Sequence, residues 1–355
     1  MSTPRRQFVQ SLAAAAAAGM ATAPALAQST QGSQGAQPAP LLARRLRPGD
    51  TIGLVSPANA TFEREPIELA TEALQALGFK VKHGANLRAR YGQFGGTDAQ
   101  RAGDINAMFA DDSVAGIIAM TGGSGCNRIV DKLDYKLIAA KPKFFGGFSD
   151  LTSLVNGMQR QTGLVTFHCP VASSQWNSFS VAAFRSLVME AEAALLKNPP
   201  PERGDNLIPT QYRTRVLRSG KARGRLVGGN LAVLSSLIGT PYAPEFRGAL
   251  LFIEEINEYI YRVDRMLSTL RLAGALNQVA GVVLGHFTKC EPGDGNYGVL
   301  TLDEVFDDYF LPLNVPVYRG AQFGHVARKL TIPVGGEAEM DADAGTLQLL
   351  RPVVL

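Results

Sequence analysis

Short apolar runs alternate along the chain with stretches whose apolar residues recur every three or four positions, and glycine or proline stands at most of the joints. Thr51-Ile-Gly-Leu-Val-Ser-Pro57 reads as a buried strand stopped by Pro57. Glu65 to Leu77 has helical period and ends at Gly78, and Lys80-Val-Lys82 is the next strand. A strand–helix–strand opening of this kind predicts a parallel sheet. Asp98 to Phe109 follows as a helix with Thr97 as its N-cap. Val114 to Met120 is another buried strand, running into Thr121-Gly-Gly-Ser-Gly125 and a predicted helix through Asn127, Ile129 and Val130. Phe144, Phe145 and Phe148, framed by Gly146 and Gly147, read as a short strand. Leu151, Leu154, Val155 and Met158 then mark one helix face. Leu164 to Pro170 is a strand ending in His168, and Ser180 to Leu196 has the pattern of an amphipathic helix.

Asn198-Pro-Pro-Pro-Glu202 and Arg203-Gly-Asp205 predict a seam between two domains. Beyond it, strands are expected around Arg225-Leu-Val227, at Ala249 to Ile253 with Glu254 and Glu255 at its end, and at Val279 to Gly285 with His286 at its end. Tyr259 to Leu272 is helical, and Val315-Pro-Val317 leads to Gly324-His325. Lys329 to Leu355 alternates as β-structure does and carries a hairpin signal at Asp343-Ala-Gly345.

The chain has 355 residues, 46% hydrophobic and 19% charged, a globular profile with room for two domains. The first 27 residues stand apart. Pro4-Arg5-Arg6-Gln7-Phe8-Val9 resembles a twin-arginine motif, and an alanine-rich run ends at the small-x-small site Ala25-Leu26-Ala27. Residues 1–27 are therefore expected to be an export signal and residues 28–45 a flexible linker rich at first in Gln, Gly, Ser and Pro. The mature protein is expected in the bacterial periplasm, with no stable membrane anchor. Without the signal the net charge falls from +4 to +2, too little to suggest nucleic acid or a membrane surface as partner. The odd count of cysteines (Cys126, Cys169 and Cys290) leaves at least one thiol free. With four scattered histidines, no metal site and no cofactor is expected.

Ser149 falls on a sharp strand-to-helix turn with Asp150 in the first helical turn. That position suits a helix cap and a nucleophile equally well. Gly122-Gly-Ser-Gly125 lacks the Walker lysine and a clean G-x-G-x-x-G, and serves better as a source of a second backbone N–H facing Ser149. A nucleophile needs a base and an acid that orients it. His83 reads as a surface residue, and His286, after a buried strand, fits a base and a satisfied core histidine equally. His325, in a glycine-bearing loop, leads His168. Glu254 is the first choice of acid, because a carboxylate ending an apolar strand needs a partner, with Glu255 beside it as the alternative.

Many ordered segments together resemble the LD-carboxypeptidase family of serine peptidases, which also contains microcin-immunity peptidases. They are Ile52-Gly-Leu-Val-Ser-Pro-Ala58, Gly96-Thr97 with Arg101, Gly122-Gly-Ser-Gly125, Leu133-Asp-Tyr135, Gly147-Phe-Ser-Asp150 and His168-Cys-Pro170. The series continues with Gly228-Gly-Asn-Leu231, Phe252-Ile-Glu-Glu255, Tyr261-Arg262, Leu284-Gly-His-Phe287 and Gly324-His325. The resemblance implies an α/β fold with an N-terminal parallel-sheet (flavodoxin/Rossmann-like) domain, here 46–200, and a smaller β-rich C-terminal domain, here 206–355, usually as a homodimer. It implies Ser149 as nucleophile, Glu254 as orienting acid, His325 as base, and the N–H groups of Asp150 and Gly123 as oxyanion hole. The implied substrate is a murein tetrapeptide that loses its terminal D-Ala. A peptide–nucleotide or acyl-sulfamoyl conjugate is the alternative within hydrolases, and periplasmic ligand binding without turnover the alternative outside them. Thr121, Ser124 and Cys169 depart from the family's usual arginine, aromatic and glycine at those points.

Overall fold

A computed structural model of the chain describes residues 40–293 and 300–355. The export signal read at 1–27 and the linker up to residue 39 lie outside them. The first strand, β1 (Thr51–Val55), is buried from Ile52 onward, as an unbroken apolar run requires in a parallel sheet covered on both faces. It is followed by α1 (Arg64–Ala76), β2 (Lys80–His83), α2 (Asp98–Ala110), β3 (Val114–Ala119), α3 (Tyr135–Ala140), β4 (Phe144–Gly147), α4 (Thr152–Thr162), β5 (Thr166–His168) and α5 (Ser178–Val188). The strands lie parallel in the order β2-β1-β3-β4-β5. Their C-terminal ends therefore share one edge, and the turns leaving β1, β3, β4 and β5 gather there, where open α/β sheets form their clefts.

The second half supplies β6 (Leu195–Lys197), β7 (Arg215–Arg218), β8 (Lys221–Asn230), α6 (Leu231–Ser236), β9 (Leu250–Ile256), α7 (Ile260–Leu272), β10 (Gly281–Thr288), α8 (Leu302–Phe310), β11 (Val317–Arg319), β12 (Ile332–Val334), β13 (Glu337–Asp341) and β14 (Thr346–Leu349). All but β12 form an eight-stranded sheet, β6-β14-β13-β8-β9-β10-β11-β7. The middle strands β8 to β11 run parallel and the flanks antiparallel. β12 crosses over to pair antiparallel with β5, setting Ile332 opposite His168. The loop just before it, which carries His325, is thereby drawn to the edge of the first sheet.

Three sequence expectations change. The pattern from Ser180 to Leu196 predicts one helix, but α5 stops at Val188. The chain turns at Ala191 (φ +55°), and Leu196 pairs with Leu347 at the edge of the second sheet. There Leu196 is buried and its backbone finds a ladder, and that tertiary gain overrides a local helical period. The helix expected through Asn127 is two 3₁₀ turns, Cys126–Arg128 and Val130–Lys132. Its start is held elsewhere: Arg101 donates to Gly125 O at 2.9 Å and the Cys126 N–H to Asp150 Oδ2 at 2.7 Å. Residues 41–45, expected to extend the linker, are part of the fold. Leu41 bridges to Leu164, Ala43 is buried, and the Arg45 N–H donates to Leu355 O.

α4 does more than its apolar stripe predicts. Leu154, Val155 and Met158 are buried, but so are Thr152, Ser153, Asn156 and Gln159 on the rest of its surface. The polar side packs on the second sheet: Asn156 Nδ2 donates to Gly228 O at 2.8 Å, and the Asn230 N–H donates to Thr152 Oγ1 at 2.9 Å. The helix that starts just after Ser149 is thus clamped between both halves.

Candidate active site

Ser149 sits where β4 ends. Its backbone is left-handed, φ +65°, an uncommon conformation for a residue with a side chain. A 3₁₀ turn, Ser149–Leu151, leads directly into α4, so the Asp150 N–H lies in a first turn whose amides have no intrahelical acceptor. Ser149 is half-buried at the floor of a cleft of about 690 Å³, lined also by Asn59, Gly122, Gly123, Phe148, Asn257, His325 and Lys329.

The sequence places Glu254 and His325 more than a hundred residues beyond Ser149, and the fold brings all three together. His325 Nδ1 is 2.7 Å from Glu254 Oε2, and His325 Nε2 is 3.0 Å from Ser149 Oγ. A carboxylate can only accept, so the proton on Nδ1 donates to Glu254 and leaves Nε2 to accept from the Ser149 hydroxyl. Glu254 has no exposed surface, whereas His325 opens to the cleft. Glu255 points to the other face of β9, as strand alternation demands. It accepts from the Ala232 N–H at 2.7 Å and from Asn230 Nδ2 at 3.0 Å, and burial pushes its carboxyl up to about 7.

The glycine turn after β3 closes on Ser149. A β-carbon at Gly122 would lie 2.9 Å from Ser149 Cβ, so only glycine permits this approach. Next to it, the Gly123 N–H has no acceptor among the described residues. Asn59 props the turn from the end of β1: its N–H donates to Gly122 O at 3.3 Å, and its Oδ1 accepts from the Ser124 N–H at 3.0 Å. Arg101, 1% exposed, holds the turn from beneath through Gly125 O, with Pro57 O, Asp98 and the Phe94 ring as its other partners. Asp150 faces away from the cleft toward Cys126, and burial raises its carboxyl.

The other histidines are placed elsewhere. His83 meets Thr71 Oγ1 on the surface and His286 meets Gln322 in a separate cavity. His168 is 1% exposed among Phe148, Phe252 and Phe323, and neither ring nitrogen has a partner among the described residues. Burial holds its ring down at about 3, so it stays neutral. All three cysteines are free thiols, with Cys126 and Cys169 buried.

Sequence reasoning passed over Asn59, Asn257 and Lys329. Asn59 and Asn257 leave no signal in apolar periodicity. Lys329 follows His325 by four residues and precedes an apolar strand, a position that reads as a solvated strand start. The loop between them is tied to the first half of the chain: Asn177 Nδ2 donates to Ala327 O at 2.8 Å, the Lys329 N–H donates to Ser180 Oγ at 3.0 Å, and Arg328 pairs with Glu202 at 2.8 Å.

Residues 52–169 match the LD-carboxypeptidase N-terminal domain and residues 223–340 the LD-carboxypeptidase C-terminal domain. A probable murein peptide carboxypeptidase of Bacillus subtilis is 36% identical over 303 residues, covering 84% of this chain and 91% of the relative. Among solved structures, MccF in complex with glutamyl sulfamoyl guanosine superposes with a TM-score of 0.79 at 27% identity, covering 89% of this chain and 100% of that one. The muramoyltetrapeptide carboxypeptidase of Oxalobacter formigenes does so with 0.70 at 28% identity, covering 84% and 97%. With its two halves matched in order and its length shared by these relatives, the chain belongs to the LD-carboxypeptidase family of serine peptidases.

Proposed function

We propose that this enzyme releases the terminal D-Ala of murein tetrapeptides through an acyl-enzyme on Ser149. The observation that carries the reading is the unbroken run of hydrogen bonds from Ser149 Oγ through His325 to buried Glu254. His325 Nε2 takes the hydroxyl proton as Oγ attacks the carbonyl before the terminal residue. Glu254 holds the ring and stabilises the imidazolium. The Asp150 and Gly123 N–H groups receive the developing oxyanion. His325 then protonates the departing D-Ala amine, and a water deprotonated by His325 hydrolyses the ester. The left-handed strain at Ser149 fits a residue held for chemistry rather than for capping.

The murein substrate is supported by the peptide carboxypeptidases among the relatives, and a periplasmic site of action by the export signal read at residues 1–27. Ser149→Ala is the test: D-Ala release from the tetrapeptide should fall at least a thousandfold, and undiminished release would overturn the assignment. The likeness to MccF favours a second substrate, an acyl-sulfamoyl conjugate. Comparison of kcat/KM on the two substrates separates these readings. A ligand-binding protein, by contrast, would turn over neither and would leave Ser149 unlabelled by a serine-directed reagent.

A further inference from the structure

Lys329 forms no ion pair among the described residues. The residue is 6% exposed, lines the Ser149 cleft, and has neither an acceptor nor an ion-pair partner for its Nζ among the described residues. Its Nζ stands 4.1 Å from the centre of the Phe148 ring. That ring lies beside the histidine, with centroids of Phe148 and His325 5.0 Å apart. The ammonium is therefore held about one aromatic ring away from the reacting groups, on a side chain whose backbone is fixed by Ser180.

A ring face compensates only part of what an ammonium loses on leaving water. Burial accordingly lowers the Lys329 ammonium to about 8. The acidic groups that act on it are Glu254 and the Cys169 thiol; Glu254 is engaged by His325 and Cys169 is a buried thiol pushed upward. A cation left so in a substrate cleft is completed by an anion on the ligand. In carboxypeptidase chemistry that anion is defined: the leaving residue bears a free α-carboxylate, two bonds from the amine that His325 protonates.

We propose that Lys329 binds this terminal α-carboxylate and so restricts the enzyme to chain ends. The inference rests on the carboxypeptidase reading above. A peptide that continued past the scissile bond, or ended in an amide, would bury the ammonium unpaired and be rejected, specificity by an uncompensated charge.

The test compares two substrates on the full-length protein: the murein tetrapeptide as free acid and the same peptide as C-terminal amide. The wild type should favour the acid by about 10- to 100-fold in kcat/KM, the range expected for one charge-assisted contact. Lys329→Met should abolish that preference from both sides, raising KM for the acid and, with no ammonium left to bury unpaired, improving cleavage of the amide. Lys329→Arg should restore part of it. The ratio within each variant is insensitive to the amount of folded protein, and Lys329→Gln carries the same comparison if the Met variant does not fold. Persistence of the preference in the neutral variants, or equal losses on both substrates, would overturn the role of Lys329 while leaving the peptidase intact. A wild type that cleaves neither peptide, releasing neither D-Ala nor its amide, would instead overturn the carboxypeptidase reading, and this inference with it.

Discussion

Glu254 commits its fully buried carboxylate to a single partner, His325: Oε2 lies 2.7 Å from Nδ1, while Oε1 has no donor among the described residues. A charge so poorly satisfied costs stability, and its retention indicates a role in orienting the ring. Glu254→Gln keeps the shape, but its amide can drive the proton to Nε2, the wrong tautomer for accepting from Ser149. The expected result is a fall in kcat of about 100- to 10,000-fold with KM little changed. Thermal stability should be equal or higher. A variant with near-normal kcat would remove Glu254 from the relay.

Gly324 makes that pairing possible. Its φ is +100°, and a β-carbon there would lie 2.6 Å from Glu254 Oε2. Gly324→Ala must shift either the carboxylate or the loop that carries His325. We expect kcat to fall about 10- to 100-fold, since small misplacements of catalytic groups are costly. The accompanying stability loss should be about 1–3 kcal/mol, from backbone strain and overpacking. Full activity in a folded variant would show that the close approach is not required.

Strand and helix order in the first half was legible because β1, β3 and β4 are compact apolar runs with glycine or proline in or just after them. The turn at Ser149 was legible for the same reason. Glu254 could be singled out from the cost of leaving a carboxylate at the end of an apolar strand, and alternation along β9 is what separates it from Glu255. His325 was harder, since only the glycine-bearing loop around it sets it ahead of His168. Only the tertiary structure buries one among phenylalanines and opens the other to the cleft. The features that escaped depend on long-range pairing: Leu196 in an edge strand, the polar face of α4 against β8, and Lys329 beneath Phe148. α8 was passed over although Thr301 and Glu304 form a capping box at its start.

His168 should make the protein acid-sensitive. Its ring is held down at about 3 by burial, against 6.5 unfolded, so below pH 6.5 the unfolded chain binds a proton that the native state refuses. Its contribution is complete above that value and is lost as pH falls toward 3, with a slope approaching about 1.4 kcal/mol per pH unit. The raised carboxyls of Asp150 and Glu255 oppose this trend, so the difference between variants is the informative quantity. His168→Leu should gain about 2–3 kcal/mol relative to wild type between pH 6 and pH 4, measured by denaturant unfolding. Parallel pH profiles of the two proteins would contradict the neutral, caged ring.

Asn156 tests whether docking of the two halves assembles the site. Its Nδ2 donates to Thr152 O and Gly228 O, both at 2.8 Å, and its Oδ1 accepts from the Gly228 N–H at 3.3 Å. Thr152 opens α4, three residues after Ser149. Gly228 lies on β8, which pairs with β9 up to Asn230 opposite Glu254. Asn156 therefore links the segment carrying the nucleophile to the sheet carrying its acid. Asn156→Ala would strip a buried amide's partners from the interface and should cost about 2–4 kcal/mol. Because the lost bonds join the two halves, Ser149 should also move relative to His325, and labelling of Ser149 by a serine-directed reagent should slow about tenfold in protein that is still folded. If the variant loses stability but is labelled at the wild-type rate, Ser149 is positioned by its own sheet alone.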